Sequence, residues 1–415
     1  MLNKFYINYA IKWLIICLSV GLISGSFSAL FLVSLACVSN YRDAHIWIIW
    51  LLPIGGLLIG FFYHYYGKEV VKGNNLILEE YENPKQTIPF KMVPLVLFGT
   101  LITHLFGGSA GREGTAVQMG SAIADQFSKV FTISKSERKT ILIIGISAGF
   151  ASVFGTPLAG ALFALEILFF SKINFKSIFP SFFTAFVAFY TVEFLQVKHT
   201  HYTIPIVPEL TISNLGWILF VGVLFGLTAM LFSKTAHFFV KMFSLFIKFP
   251  PIRPLLGGLI LAIAFYFVGN TKYAGLGIPT IVDSFQNTSE NYDFLLKILF
   301  TTFTLGAGFK GGEVTPIFFI GVTLGSALSV FIPLPIALLA GMGFVAVFSG
   351  ATHTPIACTI MGIELFGIDC GIYIGLACIT AYFCSGSLGI YSSQIAKGPK
   401  YKLYNSLKKD QFENI

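Results

Sequence analysis

Gly107-Gly108-Ser109-Ala110-Gly111-Arg112-Glu113-Gly114-Thr115 runs directly into Ala116-Val117-Gln118-Met119-Gly120-Ser121-Ala122-Ile123, and the reading of this stretch decides the fold. Long apolar segments flank it, which places it at membrane depth. An ionisable pair there, Arg112 and Glu113, is energetically expensive and marks a functional site. The glycines let the backbone take unusual angles and come close to a ligand. The run behind them is suited to start a helix whose free N–H groups point back into the loop. Such an end carries partial positive charge and suits an anion. Glu113 then stands where an anion would bind. A carboxylate in that place swings away when protonated, which couples an anion to a proton.

Composition agrees with a membrane setting. Of 415 residues 55% are hydrophobic, 16% aromatic and only 11% charged, with mean hydropathy +0.79. A soluble domain needs no such apolar excess, whereas a polytopic helical bundle does. The uncharged runs 13–38 and 46–66 exceed the roughly 20 residues that span the hydrocarbon core. Lys4 and Lys12 precede the first run, which is too long for a signal-peptide core and reads as a retained span. The lipid bilayer is therefore the expected surrounding. The net charge of +8 does not indicate nucleic acid, because the basic residues cluster between and after apolar runs. Lys135, Arg138 and Lys139 form one predicted loop cluster, Lys172 and Lys176 another, and Lys241, Lys248 and Arg253 a third. The tail adds Lys397, Lys400, Lys402, Lys408 and Lys409. Positive-inside bias puts these and both termini on the cytoplasmic side, and the Lys/Arg-poor stretch 196–209 outside. Cys17, Cys37, Cys358, Cys370, Cys378 and Cys384 lie in or beside apolar segments without C-x-x-C spacing. They predict neither disulfides nor a metal site, and no cofactor is expected.

Taken in order, 13–38 and 46–66 read as long helices, the second bent near Pro53-Ile54-Gly55-Gly56. Lys72-Gly73-Asn74-Asn75 starts a short helix, and a polar insert over 81–91 precedes the apolar run 92–106. The block 141–170 is interrupted at Gly155-Thr156-Pro157 and predicts two helices; 178–195 ends the first half. Spans at 212–231 and 254–268 follow, and Gly275-Leu276-Gly277-Ile278-Pro279 opens a short segment. The run 295–309 leads into a second glycine stretch, Gly306-Ala307-Gly308-Phe309-Lys310-Gly311-Gly312-Glu313-Val314-Thr315-Pro316. Apolar runs 317–332, 334–348, 354–366 and 372–384 close the membrane part.

The halves echo each other. Thr156-Pro157-Leu158-Ala159-Gly160-Ala161-Leu162-Phe163-Ala164-Leu165-Glu166 parallels Thr354-Pro355-Ile356-Ala357-Cys358-Thr359-Ile360-Met361-Gly362-Ile363-Glu364, and the stretch at Glu113 has its counterpart at Glu313. The division expected is 1–205, 206–395 and a short cytoplasmic tail, 396–415. Duplicated halves with interrupted helices point to a transporter whose site lies at the repeat interface. The pairs Thr156-Pro157, Thr315-Pro316 and Thr354-Pro355 each predict a helix start, Thr capping and Pro at the first helical position. Glu166 and Glu364 read as structural partners for backbone or basic groups.

Gly111-Arg112-Glu113-Gly114-Thr115 resembles the G-K/R-E-G-P signature of the CLC anion channels and transporters, and with the second glycine stretch the resemblance covers the chain to about Ser393. It implies an all-α fold of tilted, partly broken transmembrane helices in an inverted repeat, and a homodimer with one anion path per subunit. It also implies that Glu113 is the gating, proton-carrying glutamate, with the anion near Gly114 and Val314 at the helix N-termini. The departures are informative. The usual G-S-G-I-P is Gly73-Asn74-Asn75-Leu76-Ile77, so Asn74 replaces the serine that helps hold chloride. The usual G-x-F-x-P is Gly312-Glu313-Val314-Thr315-Pro316, and the family's internal proton glutamate falls at Ile167. Together these resemble the CLC-F branch of bacterial fluoride/proton antiporters, whose second glutamate, neighbouring threonine and central tyrosine map onto Glu313, Thr315 and Tyr391. The expected function is fluoride export in exchange for protons across a bacterial cell membrane. Strong donors suit a small, strongly hydrated anion: the Asn74 amide, the Thr315 and Tyr391 hydroxyls and open helix N–H groups. No carboxy-terminal CBS-type domain is expected.

Plainer readings stand beside these. Glu113 is then a helix-start charge neutralised by Arg112, which otherwise lines the outer mouth. Glu313 pairs with Lys310, Thr315 is an N-cap, Asn74 and Asn75 are turn residues, and Tyr391 is an interfacial aromatic. A chloride/proton exchanger or chloride channel of the same fold is the functional alternative. Gly107-Gly108-Ser109-Ala110-Gly111 also matches G-x-S-x-G, with His104 or His353 as a base, but that motif's meaning needs a strand–turn–helix context. The phenylalanines are expected to pack or to face lipid, a few near the path offering ring edges to the anion.

Overall fold

The computed structural model describes residues 2–131, 133–168, 175–394, 400–401 and 404. Among them there is no strand, only one antiparallel bridge, between Gly111 and Gly312. The first half of the chain comprises α1 (Leu2–Ala44), α2 (Leu52–Tyr65), α3 (Asn74–Glu82), α4 (Met92–Leu105), α5 (Glu113–Val130), α6 (Lys135–Phe154), α7 (Pro157–Leu168) and α8 (Ile178–Phe194). The second comprises α9 (Ile212–Phe246), α10 (Ile252–Val268), α11 (Ile278–Asp283), α12 (Asp293–Gly306), α13 (Val314–Leu328), α14 (Ile336–Thr352), α15 (Pro355–Phe366) and α16 (Gly371–Cys384).

Helix length separates two kinds of element. Tyr9–Ala44, Ile46–Tyr65, Phe175–Phe194 and Ile212–Phe246 are long and apolar enough to cross a membrane. α15 has 12 residues, or about 18 Å at the α-helical rise, well short of the hydrocarbon core, and α7 likewise begins within the bundle, at Pro157 after Gly155. Such half-helices survive at membrane depth only where protein encloses their ends. Here each is enclosed by the other. The Glu166 carboxylate, on α7, accepts from the Ile356 and Ala357 N–H groups at the start of α15 (3.0 and 2.7 Å). The Glu364 carboxylate, on α15, accepts from the Leu158 and Ala159 N–H groups at the start of α7 (2.9 and 2.7 Å). Four orphan amides are satisfied by two carboxylates in one reciprocal arrangement.

Glycine lets the core helices approach closely, and again both halves use it alike. A Cβ on Gly149 would strike the Ala116 carbonyl of α5, and one on Gly145 would lie 2.6 Å from Ser121 Cα. Between α13 and α14, a Cβ on Gly321 would strike the Gly343 carbonyl and one on Gly325 the Leu339 carbonyl. Small residues at four-residue spacing are what close helix crossing in a membrane requires. Around these crossings Phe150, Phe163, Phe318, Phe344 and Phe348 form a buried ring cluster, with Phe318 and Phe344 stacked at 4.1 Å.

Several sequence expectations are corrected. Lys135, Arg138 and Lys139 are in the first turns of α6, not in a loop, and Arg138 is buried. The span predicted at 212–231 continues to Phe246, carrying Lys241 on the helix, because nothing in 232–246 breaks it. The bend expected near Pro53 is a change from a 3-10 turn, Ile46–Leu51, to α2. The Thr-Pro hydroxyls do not cap. Thr354 forms no side-chain cap bond and instead meets Thr352 Oγ1 at 2.7 Å, Thr156 Oγ1 has no partner, and Thr315 lies inside α13 with Glu313 at its N-cap. Lys400 is buried, with Nζ 2.7 Å from Ser385 Oγ, so it is no part of a free basic tail. Lys172, Lys397, Lys402, Lys408 and Lys409 lie outside the described residues.

Candidate functional site

The two glycine stretches meet. Gly111 N–H donates to the Gly312 carbonyl (2.6 Å) and Gly312 N–H to the Gly111 carbonyl (2.8 Å), so each backbone satisfies the other. The bridge needs bare α-carbons: a Cβ on Gly312 would lie 2.7 Å from Gly114 N, and one on Gly111 2.9 Å from Pro316 Cδ. It brings the buried N-termini of α5 and α13 together.

Glu113 opens α5 and is 1% exposed. Its carboxylate does not stay with its own helix but reaches the N-terminus of α13. Oε2 accepts from Thr315 N–H at 3.1 Å, and the Thr315 hydroxyl lies 2.8 and 2.7 Å from Oε1 and Oε2, sharing one proton between them. Arg112 N–H adds a longer contact to Oε2 at 3.3 Å, and Arg112 Nε stands 3.5 Å from Oε1. A negative side chain thus sits on the positive end of a helix from the other half, with charge-assisted hydrogen bonds.

The other predicted residues gather around this contact. Val314 opens α13 and is buried beside the N-cap, Glu313. Glu313 Oε2 is buried without a hydrogen-bond partner, and Lys310 Nζ lies over the Tyr63 ring at 4.1 Å and donates no hydrogen bond to that oxygen. Asn74 is the first residue of α3, after Gly73 at φ +56. A Cβ on Gly114 would lie 3.0 Å from Asn74 Nδ2 and 3.6 Å from Glu313 Oε2, so these groups converge on the bare face of Gly114. Asn74 Oδ1 is also buried and unpartnered. Asn74 then shares a small cavity with Tyr391, Ile77, Leu78, Val117, Ile146, Phe163 and Ile167. Its volume, about 10 Å³, suits a single water-sized species. Tyr391 is 6% exposed and lines this cavity, which removes the reading as an interfacial aromatic. Ile167 is there too: an apolar side chain occupies that wall.

Two features escaped the sequence. Thr100 of α4 bonds Thr115 (Oγ1 to Oγ1, 2.7 Å), two residues past Glu113, and its hydroxyl in an apolar helix was the available signal. Glu80 and Asp125 are buried against Arg138. The G-x-S-x-G reading finds no nucleophile–base pair. Ser109 Oγ meets Thr301 Oγ1 (2.8 Å), both His104 ring nitrogens face backbone carbonyls, and His353 Nδ1 meets the Tyr401 hydroxyl.

The reciprocally bonded starts of α7 and α15, the N-termini of α5 and α13 meeting from the two halves, and long apolar spans define a polytopic membrane-protein fold with a site between its halves. Comparison with known proteins specifies it. The family model for voltage-gated chloride channels matches residues 55–386. A chloride/fluoride channel protein of Pseudomonas syringae pv. tomato is 48% identical over 392 residues, 93% of this chain and 87% of that one. The crystal structure of a CLC-type fluoride/proton antiporter superposes with TM-score 0.91 at 34% identity, covering 94% of this chain and 98% of the other. A slow cyanobacterial Cl−/H+ antiporter shares the fold, with TM-score 0.79 at 19% identity over 96% and 98% of the two chains. The chain belongs to the voltage-gated chloride channel family, the CLC proteins.

Proposed function

We propose that this protein is a fluoride/proton antiporter that exports fluoride from the cytoplasm in exchange for protons. It works as a homodimer with one anion path per subunit, in a bacterial plasma membrane, with both termini cytoplasmic. The observation that carries the reading is the Glu113 carboxylate seated on the Thr315 amide and hydroxyl. That seat is an anion site filled by a side chain. When Glu113 takes a proton, its charge no longer matches the helix end, and fluoride competes for the same donors. The Asn74 amide and the Tyr391 hydroxyl extend the donor set along the path, replacing part of the water that fluoride gives up. Glu313, buried with an unpartnered oxygen beside Gly114, is the second proton carrier. Ile167 in the cavity wall offers no carboxylate, so the proton passes by Glu313. Arg112 holds the mouth positive.

Purified protein in liposomes, with fluoride and chloride electrodes and an imposed pH gradient, tests this directly. Uphill fluoride movement driven by protons, with little chloride, is the expected result. Comparable chloride movement would return the chain to the chloride/proton exchangers of the same fold, and flux of neither ion would overturn the reading.

A further inference from the structure

α3 is short, 9 residues, yet it reaches both Gly114 and the segment that carries Tyr391. Its first residue, Asn74, packs against Gly114. Its next, Asn75, accepts from the Ser393 backbone N–H (3.0 Å) through Oδ1, and Glu79 Oε1 accepts from the Ser393 hydroxyl (3.1 Å). Those two bonds hold the segment that carries Tyr391, two residues upstream. At the far end of the helix Glu80 is 5% exposed, and its Oε2 accepts from Arg138 Nη1 (2.9 Å), Lys85 N–H (2.9 Å) and Gln86 N–H (3.2 Å). Arg138 also grips Asp125 of α5 through two parallel bonds, Nε to Oδ1 (2.8 Å) and Nη2 to Oδ2 (2.7 Å). Asp125 Oδ2 in turn accepts from Ile88 N–H (2.8 Å), and Nη2 reaches the Gln86 carbonyl (2.6 Å). Every charge in this group is buried and hydrogen-bonded, the condition under which a buried ionic network fixes geometry.

The geometry follows from which helices are joined. Glu80 lies on α3 and Asp125 on α5, so one guanidinium sets these two helices against each other. α3 starts with Asn74 and α5 with Glu113 and Gly114. A rigid, planar fork fixes both distance and rotation, which a lysine would not. Resting on the fluoride/proton reading above, we propose that Glu80 and Arg138 are positioning residues that set the anion specificity of the site, by holding α3 so that Asn74 presents its donor beside Gly114 at a fluoride-sized spacing. Neither touches the anion; each acts through α3.

Glu80→Gln keeps the side-chain size and an acceptor for Lys85 and Gln86 but removes the charge that Arg138 grips. Fluoride and chloride flux are measured in liposomes for wild type, Glu80→Gln, Asn74→Ala and the double variant. The fluoride-to-chloride ratio should fall by about threefold or more in Glu80→Gln, and the same substitution should leave the ratio unchanged in the Asn74→Ala background, because an effect that acts only through Asn74 is not additive with its removal. Arg138→Lys should lower the ratio in the same way and provides the second route if Glu80→Gln folds poorly. Equal loss of both fluxes with an unchanged ratio would overturn the inference and make the network merely structural. An effect that adds to Asn74→Ala would also overturn it. A wild-type protein that moves no fluoride would instead sink the functional reading, before any variant is compared.

Discussion

At the scale of the residue, Glu113 is defined less by its own helix than by Thr315 on the opposite one. Three contacts from the amide and hydroxyl of one residue hold two carboxylate oxygens. Bonds to a charged group contribute about 1.5–3 kcal/mol each when the alternative is burial without them. Glu113→Gln places a neutral amide there, which takes up no proton and offers one acceptor oxygen instead of two. Proton coupling should disappear, and proton-driven fluoride movement in liposomes with it, because an amide at this position carries no proton to exchange. Undiminished coupled flux would remove Glu113 from the mechanism. The residue's identity was legible in the sequence because a glutamate between glycines in an apolar context has few explanations. Its partner was only partly legible: Thr315 read as a donor at the anion site or as a cap for its own helix, and only the meeting of two loops far apart in the chain put its hydroxyl on Glu113.

At the scale of the element, the helix starts were legible and their satisfaction was not. The break at Gly155-Thr156-Pro157 gives α6 ending at a left-handed Gly155 and α7 starting at Pro157, as glycine and proline dictate. What closes the two half-helix N-termini is the reciprocal pair Glu166 and Glu364, not the adjacent threonines. A carboxylate matches two amides at once and carries the charge that a helix N-terminus favours, so it displaces a hydroxyl that can satisfy only one. Glu166→Gln loses the charge and one of the two acceptors, and should destabilise the protein by about 1–3 kcal/mol. Thermal unfolding in detergent would show a lowered Tm, with Glu364→Gln matching it because the two sites are equivalent. A variant melting with wild type would make these contacts incidental.

At the scale of the whole molecule, both halves use the same devices: a glycine loop before a small-residue helix, a close glycine crossing, and a Thr-Pro helix start with a glutamate ten residues after the threonine. The proposed site lies where they differ. Arg112-Glu113-Gly114 meets Gly312-Glu313-Val314, so one half supplies a carboxylate that leaves its helix and the other a carboxylate that stays at its N-cap. The proposed dimer with a path in each subunit makes a further prediction. Dimers mixing one wild-type and one Glu113→Gln subunit should keep about half the coupled fluoride flux, since symmetric subunits then act independently. Complete loss in the mixed dimer would show a shared path and refute one path per subunit.

The sequence by itself determined that this chain is a membrane bundle, where its helices break, and which glutamates stand at those breaks. Those properties follow from local chemistry: apolar run length, backbone freedom at glycine, the fixed φ of proline and the expense of charge at membrane depth. Tertiary structure alone decided which breaks face each other. The Gly111–Gly312 bridge, Glu113 on Thr315, Glu166 on Ala357 and the Arg138 grip on Glu80 and Asp125 all join distant parts of the chain. A buried amide or charge must find a partner, and which one it finds is fixed by packing that no local pattern encodes.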